Sequence, residues 1–196
     1  MGTITVTEFV SMDGVMQAPG GEKFKYEGWT FDFDRGEEGG KFKGEELFDA
    51  EAQLIGRVTY ESFAHSWPER EGMGGELGEF AKRMNEMPKY LVSSTIKDPE
   101  WNNTTVIDGS GDVPKEVAKL KEEVDGDILV SGSRRLVHDL LEHDLVDVIR
   151  LMVFPVVLGT GDRVFGEFSD KSTWKLVEAN QVGSDGVLTL VYEKSD

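Results

Sequence analysis

The sequence contains no cysteine among its 196 residues. Disulfides, thiolate nucleophiles and cysteine-ligated metals are excluded, and a reducing cytoplasm is the expected location. Histidine is scarce. His65, His138 and His143 are scattered, and the last two are five apart, which fits one helix face poorly, so no metal site is expected. No apolar run approaches the roughly 18 residues of a membrane span. No basic segment precedes an apolar run at the start, so no secretory signal is expected either. Positive charge is also short: 21 Lys and Arg stand against 38 Asp and Glu, for a net charge of −17. Nucleic acid and anionic membranes would be repelled, and neither is expected as a partner. Arginines gathered at loop ends in so acidic a chain therefore need a reason.

What is present is ordinary for a soluble globular protein: 38% hydrophobic and 30% charged residues. The length suits one domain over residues 1–196 with a substantial core. Alternation predicts a strand over Thr3 to Val10. Ser11 to Gly40, rich in Gly, aromatics and acids, reads as a long functional loop. A helix is expected over Lys41 to Glu51, a buried strand over Ala52 to Gly56, and a short helix over Thr59 to His65. Gly72 to Gly78 reads as a second mobile loop, followed by a helix near Leu77 to Asn85. Strands are expected over Lys89 to Ser93, Thr104 to Ile107 and Asp127 to Ser131, with helices over Pro114 to Val124 and Ser133 to Glu142. A long apolar strand covers Val146 to Leu158. Trp174 to Val182 and Val187 to Glu193 form a hairpin around Ser184-Asp185-Gly186. Strands alternating with helices before a terminal hairpin imply an α/β fold, its sheet mainly parallel with an antiparallel edge.

In open α/β sheets, ligands bind beyond the carboxyl ends of parallel strands. Ser11, Met12, Asp13 and Gly14 follow the first strand. Gly56, Arg57 and Thr59 follow the second, Ser93, Ser94 and Thr95 the third, and Gly132, Ser133, Arg134 and Arg135 the fifth. Glycines admit close backbone approach, helix starts offer free N–H groups, and arginine grips phosphate through paired donors. Taken alone, Gly56 need only permit a turn, and Thr59 or Ser133 need only cap a helix. Two arginines in one first turn nevertheless oppose the helix dipole, which an anionic ligand would offset. Three such loops together point to a phosphate-bearing ligand. Asp13-Gly14 fits either a turn or a functional acid. Trp29, Phe31 and Phe33 fit either local core or a substrate loop.

The segments "FVSMDGVMQAPGG", "LIGRVTYESFAHSWP", "MPKYLVSST", "DILVSGSRRLVHDLL" and "LVDVIRLMVFPVVLGTGDRVF" occur in this order. Together they resemble the dihydrofolate reductase superfamily, and within it the RibD C-terminal domain family of riboflavin-biosynthesis reductases. The resemblance implies a three-layer fold: about eight mostly parallel strands flanked by helices, with an antiparallel C-terminal hairpin. It implies NADPH along the carboxyl edge. Arg57 and Thr59 would hold phosphates beside Gly56. Ser93, Ser94 and Thr95 would line the 2′-phosphate side with Arg57 and Arg135. Gly132, Ser133, Arg134 and Leu136 would cradle the pyrophosphate, and Val15 to Ala18 would lie near the nicotinamide. Asp13 matches the aspartate of the S-x-D-G motif near the reacting centre, where it would position the substrate or relay a proton. A homodimer is also implied, with exposed Val or Phe on the strand from Val146 as its surface.

The sequence departs from the superfamily pattern in places. Gly40 to Gly44 offer no acid where dihydrofolate reductase places its pterin-holding carboxylate, and Arg35 is the only arginine of the Gly20 to Gly40 loop. The expected activity is hydride transfer from NADPH to a C=N or C=O group of a small heterocyclic or carbonyl substrate. The alternatives are a pteridine- or dihydrofolate-type reductase, a xenobiotic reductase, and a non-catalytic nucleotide-binding module.

Overall fold

The computed structural model describes residues 1–195. Its strands are β1 Thr3–Ser11, β2 Ala50–Gly56, β3 Lys89–Ser93, β4 Thr104–Asp108, β5 Asp127–Val130, β6 Val148–Phe154, β7 Trp174–Val182 and β8 Val187–Lys194. They form one sheet in the order β4-β3-β2-β5-β1-β6-β8-β7. The pairs from β4 to β6 are parallel, and β8 runs antiparallel to both β6 and β7. The helices are α1 Gly36–Asp49, α2 Arg57–Arg70, α3 Gly75–Glu86, α4 Val113–Glu123 and α5 Arg134–Glu142. The expected α/β class, parallel sheet and antiparallel hairpin are present.

Apolar side chains leave both faces of the central strands, as a covered parallel sheet requires. One core joins Ile4, Val6, Ile128 and Val130 to Val117 and Leu120 of α4 and Leu136 and Leu140 of α5. The opposite core joins Ile55, Leu91 and Leu129 to Leu47, Tyr60 and Met84. Asp112 caps α4 by accepting from Lys115 N, with Pro114 in the first turn.

Several boundaries differ from expectation for physical reasons. α1 begins at Gly36, where Glu37 and Glu38 favour the positive end of the helix. α2 runs through Pro68 to Arg70 because Phe63 and Trp67 stack in series onto Phe80 of α3, so packing outweighs the helix-breaking residue. The expected glycine loop over 72–78 instead holds a 3-10 turn, Glu71–Met73, and the start of α3. β6 ends before Pro155, which has no N–H to continue the ladder. It lies between β1 and β8, so it presents no free edge. Exposed apolar residues of the hairpin are Leu176, Val177 and Leu188. Trp29 is buried with Phe42 and Phe154, and Phe33 packs on the same cluster, whereas Phe31 is exposed.

Three cations, Arg150, Lys43 and the buried Lys89, tie the layers together. Arg150 of β6 donates to Glu46 of α1 at 3.0 Å, and Lys43 pairs with the same carboxylate. Lys43 also donates to Thr7 Oγ1, at 2.6 Å, and that hydroxyl donates to Glu46 at 2.8 Å. Lys89 is 1% exposed. Its ammonium donates to the carbonyls of Met84, Asn85 and Met87 at 2.8, 3.0 and 2.8 Å. All three of its N–H groups are therefore used to close the carboxyl end of α3. Lys89→Met would leave three carbonyls unpaired. It is expected to cost roughly 3 kcal/mol in chemical unfolding, with cooperativity retained.

Candidate active site

The carboxyl ends of β2 and β5 touch. Gly56 N donates to Gly132 O at 3.0 Å. A Cβ on Gly56 would stand 2.3 Å from Ser133 Oγ and 3.0 Å from Ser133 N. The φ of Gly56 is −82°, open to any residue, so closeness and not torsion demands glycine here. This contact sets the starts of α2 and α5 side by side. Neither helix has a side-chain cap bond at its start, so first-turn N–H groups of both are available to a ligand. A second approach lies at β3, where a Cβ on Gly109 would stand 3.0 Å from Ser94 N. Between these approaches runs a cleft of about 700 Å³, lined among others by Gly56, Arg57, Ser93, Ser94, Ser133 and Arg135.

The residues singled out in the sequence divide by their partners. Arg135 is exposed and forms no ion pair among the described residues. Arg57 is held by Glu61 at 2.9 Å on its own helix, and Arg134 turns away to Asp162 at 3.0 Å. Ser93 is buried, and its hydroxyl accepts from Thr95 N at 3.2 Å and Ile96 N at 2.9 Å, which leaves Ser94 and Thr95 as the exposed hydroxyls. The Leu136 side chain belongs to the core, so its backbone is the part at the helix start. Thr59 Oγ1 lies 2.9 Å from where a Gly132 Cβ would stand, beside the turn into α5.

Asp13 has a different setting from the expected proton relay. Its Oδ1 accepts from Ser11 Oγ at 2.7 Å and Leu158 N at 3.0 Å. Its Oδ2 accepts from Gly159 N at 2.9 Å and pairs with Arg163 at 3.4 Å. The Ser11 hydroxyl and the loop N–H groups hold its pKa at about 2. These bonds favour the carboxylate form of Asp13. It anchors the loop over 156–164, which is laced to the segment after β1. Met12 N donates to Val156 O, Met16 N to Asp162 O, and Val164 N to Gly14 O.

Sequence reasoning passed over Gly109 and Glu8, weighed His138 only as a metal ligand, and read the segment over 156–164 only as part of the family resemblance. His138 lines the cleft and bonds the Arg163 carbonyl at 2.9 Å. Glu8 carried a readable signal: it is the one acid in the alternation Ile4, Val6, Glu8, Val10, whose other members are buried core.

The sequence pattern of the RibD C-terminal domain matches residues 2–188. The chain belongs to the RibD C-terminal domain family. It is similar to the uncharacterized protein YyaP of Bacillus subtilis (strain 168), with 30% identity over 139 residues, 71% of each chain. Uncharacterized protein YwjB of the same strain is 35% identical over 66 residues, which cover 34% of this chain and 38% of that one. Among solved structures, a Shewanella sp. PV-4 protein named for riboflavin biosynthesis has a TM-score of 0.67 at 16% identity, covering 99% of both chains. Dihydrofolate reductase of Enterococcus faecalis, complexed with NADP(H) and RAB-propyl, has a TM-score of 0.62 at 16% identity, covering 99% of this chain and 97% of that one. These likenesses show a dihydrofolate reductase-like fold.

Two outcomes follow from the geometry. Gly56→Ala should force β2 and β5 apart and lower stability by about 1–3 kcal/mol, the usual cost of overpacking, measured by denaturant unfolding. Asp13 has a folded pKa below the ordinary carboxylate value of about 3.9, so its stabilisation is present above that value and is lost as pH falls towards 2. Asp13→Asn should therefore flatten the acid limb of the stability curve between about pH 4 and pH 2. An unchanged limb would remove the anchoring role.

Proposed function

We propose that the chain is an NADPH-dependent reductase that transfers hydride to a C=N or C=O group of a small, heterocyclic substrate. The observation that carries this reading is the contact at Gly56 and Ser133. It places two uncapped helix starts at the head of one cleft, the arrangement that suits a pyrophosphate. Family membership supports a reductase in general terms. The cofactor would supply the hydride, and the protein would bind and orient it. Arg57 and Arg135, with the exposed hydroxyls of Ser94 and Thr95, would take the adenosine 2′-phosphate. Gly132, Ser133, Arg134 and the Leu136 backbone would take the pyrophosphate with Thr59.

On this reading Asp13 is a positioning residue. Its hold on the loop over 156–164 sets the path of Met12 to Gln17, the segment beside the reacting end of the cofactor. Substrate protonation would then draw on water or on the substrate itself. A single domain over residues 1–196, working in the cytoplasm as a homodimer, completes the proposal. The exposed Leu176 and Val177 on the outermost strand β7 support the choice of a second copy as partner.

A second reading has one observation in its favour: Asp13 is fully occupied, so the site shows no free acid at its mouth. That reading is a nucleotide-binding module without turnover. Titration with NADPH and NADH, followed by NADPH oxidation against a panel of pyrimidines, pterins and carbonyl compounds, separates the two. The reductase reading expects tighter NADPH binding and turnover on at least one class. Binding without turnover on any class favours the module, and no binding of either nucleotide sinks both. Arg57→Ala and Arg135→Ala should each weaken NADPH by about tenfold and NADH by no more than about threefold, since each removes a charge-assisted bond to the extra phosphate. Equal weakening of both nucleotides would overturn the 2′-phosphate assignment.

A further inference from the structure

Among the described residues, Glu8 is the one buried carboxyl that the fold leaves without a hydrogen-bond partner. Its neighbours on the same face of β1, Val6 and Val10, belong to the core. Glu8 is 7% exposed, and its Oε1 is buried and accepts no hydrogen bond among the described residues. Burying an unpaired polar group costs stability, so a leucine here would serve the fold better. The other buried acid, Glu46, shows the contrast, because it is fully engaged by Thr7, Lys43 and Arg150.

The position of Glu8 suggests what its carboxyl serves. β1 pairs with β5 only as far as Val6 and Val130. Glu8 lies two residues beyond that register, where the chain leaves β5 through Ser131 and Gly132. A Cβ on Gly132 would stand 2.9 Å from Thr59 Oγ1, 3.6 Å from Glu8 Oε1 and 3.7 Å from Met16 Cε. Glu8 therefore sits beside Gly132 and Thr59, next to the starts of α5 and α2. Along the sheet edge the order is β3, β2, β5, β1. A dinucleotide with its 2′-phosphate at β3 and its pyrophosphate between β2 and β5 has its far end at β1, roughly 14 Å from β3 at three strand spacings.

We infer that Glu8 is a ligand-binding residue whose carboxyl pairs with the carboxamide of the nicotinamide beside Gly132. This rests on the proposed nucleotide site. Burial disfavours the charged form of Glu8 and raises its pKa well above the ordinary value, with Lys43 opposing and Glu46 reinforcing the shift. A protonated carboxyl offers one donor and one acceptor side by side. A primary carboxamide offers the complementary pair, and a phosphate or a simple carbonyl does not. Met16, unbranched and beside the same point, is the side chain that would shift to admit the ring.

The test is equilibrium binding of two probes, NADPH and 2′-phospho-ADP-ribose, which lacks the nicotinamide. It is made on the wild-type chain, Glu8→Gln and Glu8→Leu, with thermal unfolding of each. Glutamine keeps a donor and an acceptor, so Glu8→Gln should hold NADPH within about threefold of wild type. Glu8→Leu should weaken NADPH by about tenfold, the size expected for losing a buried paired contact. It should leave 2′-phospho-ADP-ribose unchanged and unfold at the same or a higher temperature. Equal weakening of both probes, or of neither, would overturn the inference while leaving the nucleotide site standing. Unchanged NADPH binding with turnover lost in Glu8→Gln would also overturn it, because the carboxyl would then be serving as an acid. If 2′-phospho-ADP-ribose does not bind the wild-type chain, the nucleotide site itself falls, and the pairing falls with it.

Discussion

The contact between the last residue of β2 and the turn after β5 is the constraint on which the rest of the site depends. Two parallel strands carry their chains out of the sheet in the same direction, and side chains ordinarily keep the exits apart. Here Gly56 has no side chain, its N–H bonds Gly132 O, and the first turns of α2 and α5 stand together. A single methyl group would occupy the space of the Ser133 hydroxyl. The positive ends of two helix dipoles are thus combined in one place. That local field exists in a chain of net charge −17, so backbone geometry concentrates positive potential that the composition lacks.

The remainder of the fold keeps that contact in place. α5 packs Leu136, Val137 and Leu140 into one core, and Tyr60 fixes α2 against the other. The Tyr60 hydroxyl also accepts from Trp101 N, at 3.1 Å, tying the start of α2 to the segment between β3 and β4. On the other side of the site, Asp13 draws the loop over 156–164 onto the segment after β1. Between the helix starts and the laced loop, Thr59, Glu8 and Met16 converge on Gly132.

Much of this was legible in the sequence because the signals were local. Alternation and apolar runs placed all eight strands, and Pro114 and the Ser184-Asp185-Gly186 turn marked their elements by backbone chemistry. Gly56, Gly132 and Ser133 were found because glycine and hydroxyl residues after a strand have few other uses. The extent of α2 was not legible, since Pro68 argues for a stop and only the stacking onto Phe80 overrides it. The work of Asp13 was hidden for the same reason: its partners Leu158, Gly159 and Arg163 lie about 145 to 150 residues away in the chain. A pairing of that range is set by the β1–β6 register, which no short motif encodes. Glu8 was legible as a break in alternation, but its lack of a partner became visible only with the neighbouring strands in place.

Arg57 and Arg134 show how an acidic protein can carry arginines at helix starts with their charge already paired. Arg57 rests on Glu61 and Arg134 on Asp162, each in an exposed ion pair. Such pairs contribute about 0–1 kcal/mol, because water and salt screen them. A phosphate carries more charge than the carboxylate and offers several acceptor oxygens to the same guanidinium. Exchanging a carboxylate for a phosphate therefore costs little on one side and gains a stronger bond on the other. The acids keep each arginine from straying to other anions, and they are weak enough partners to be displaced. Arg135, without an ion-pair partner among the described residues, is the point where a phosphate would first be felt. The pairing also bears on specificity, since a ligand with only one phosphate group at this end must displace the same carboxylates for fewer new bonds. On the proposed nucleotide reading, the competition between these arginines and their resident acids would favour a longer, more highly charged ligand.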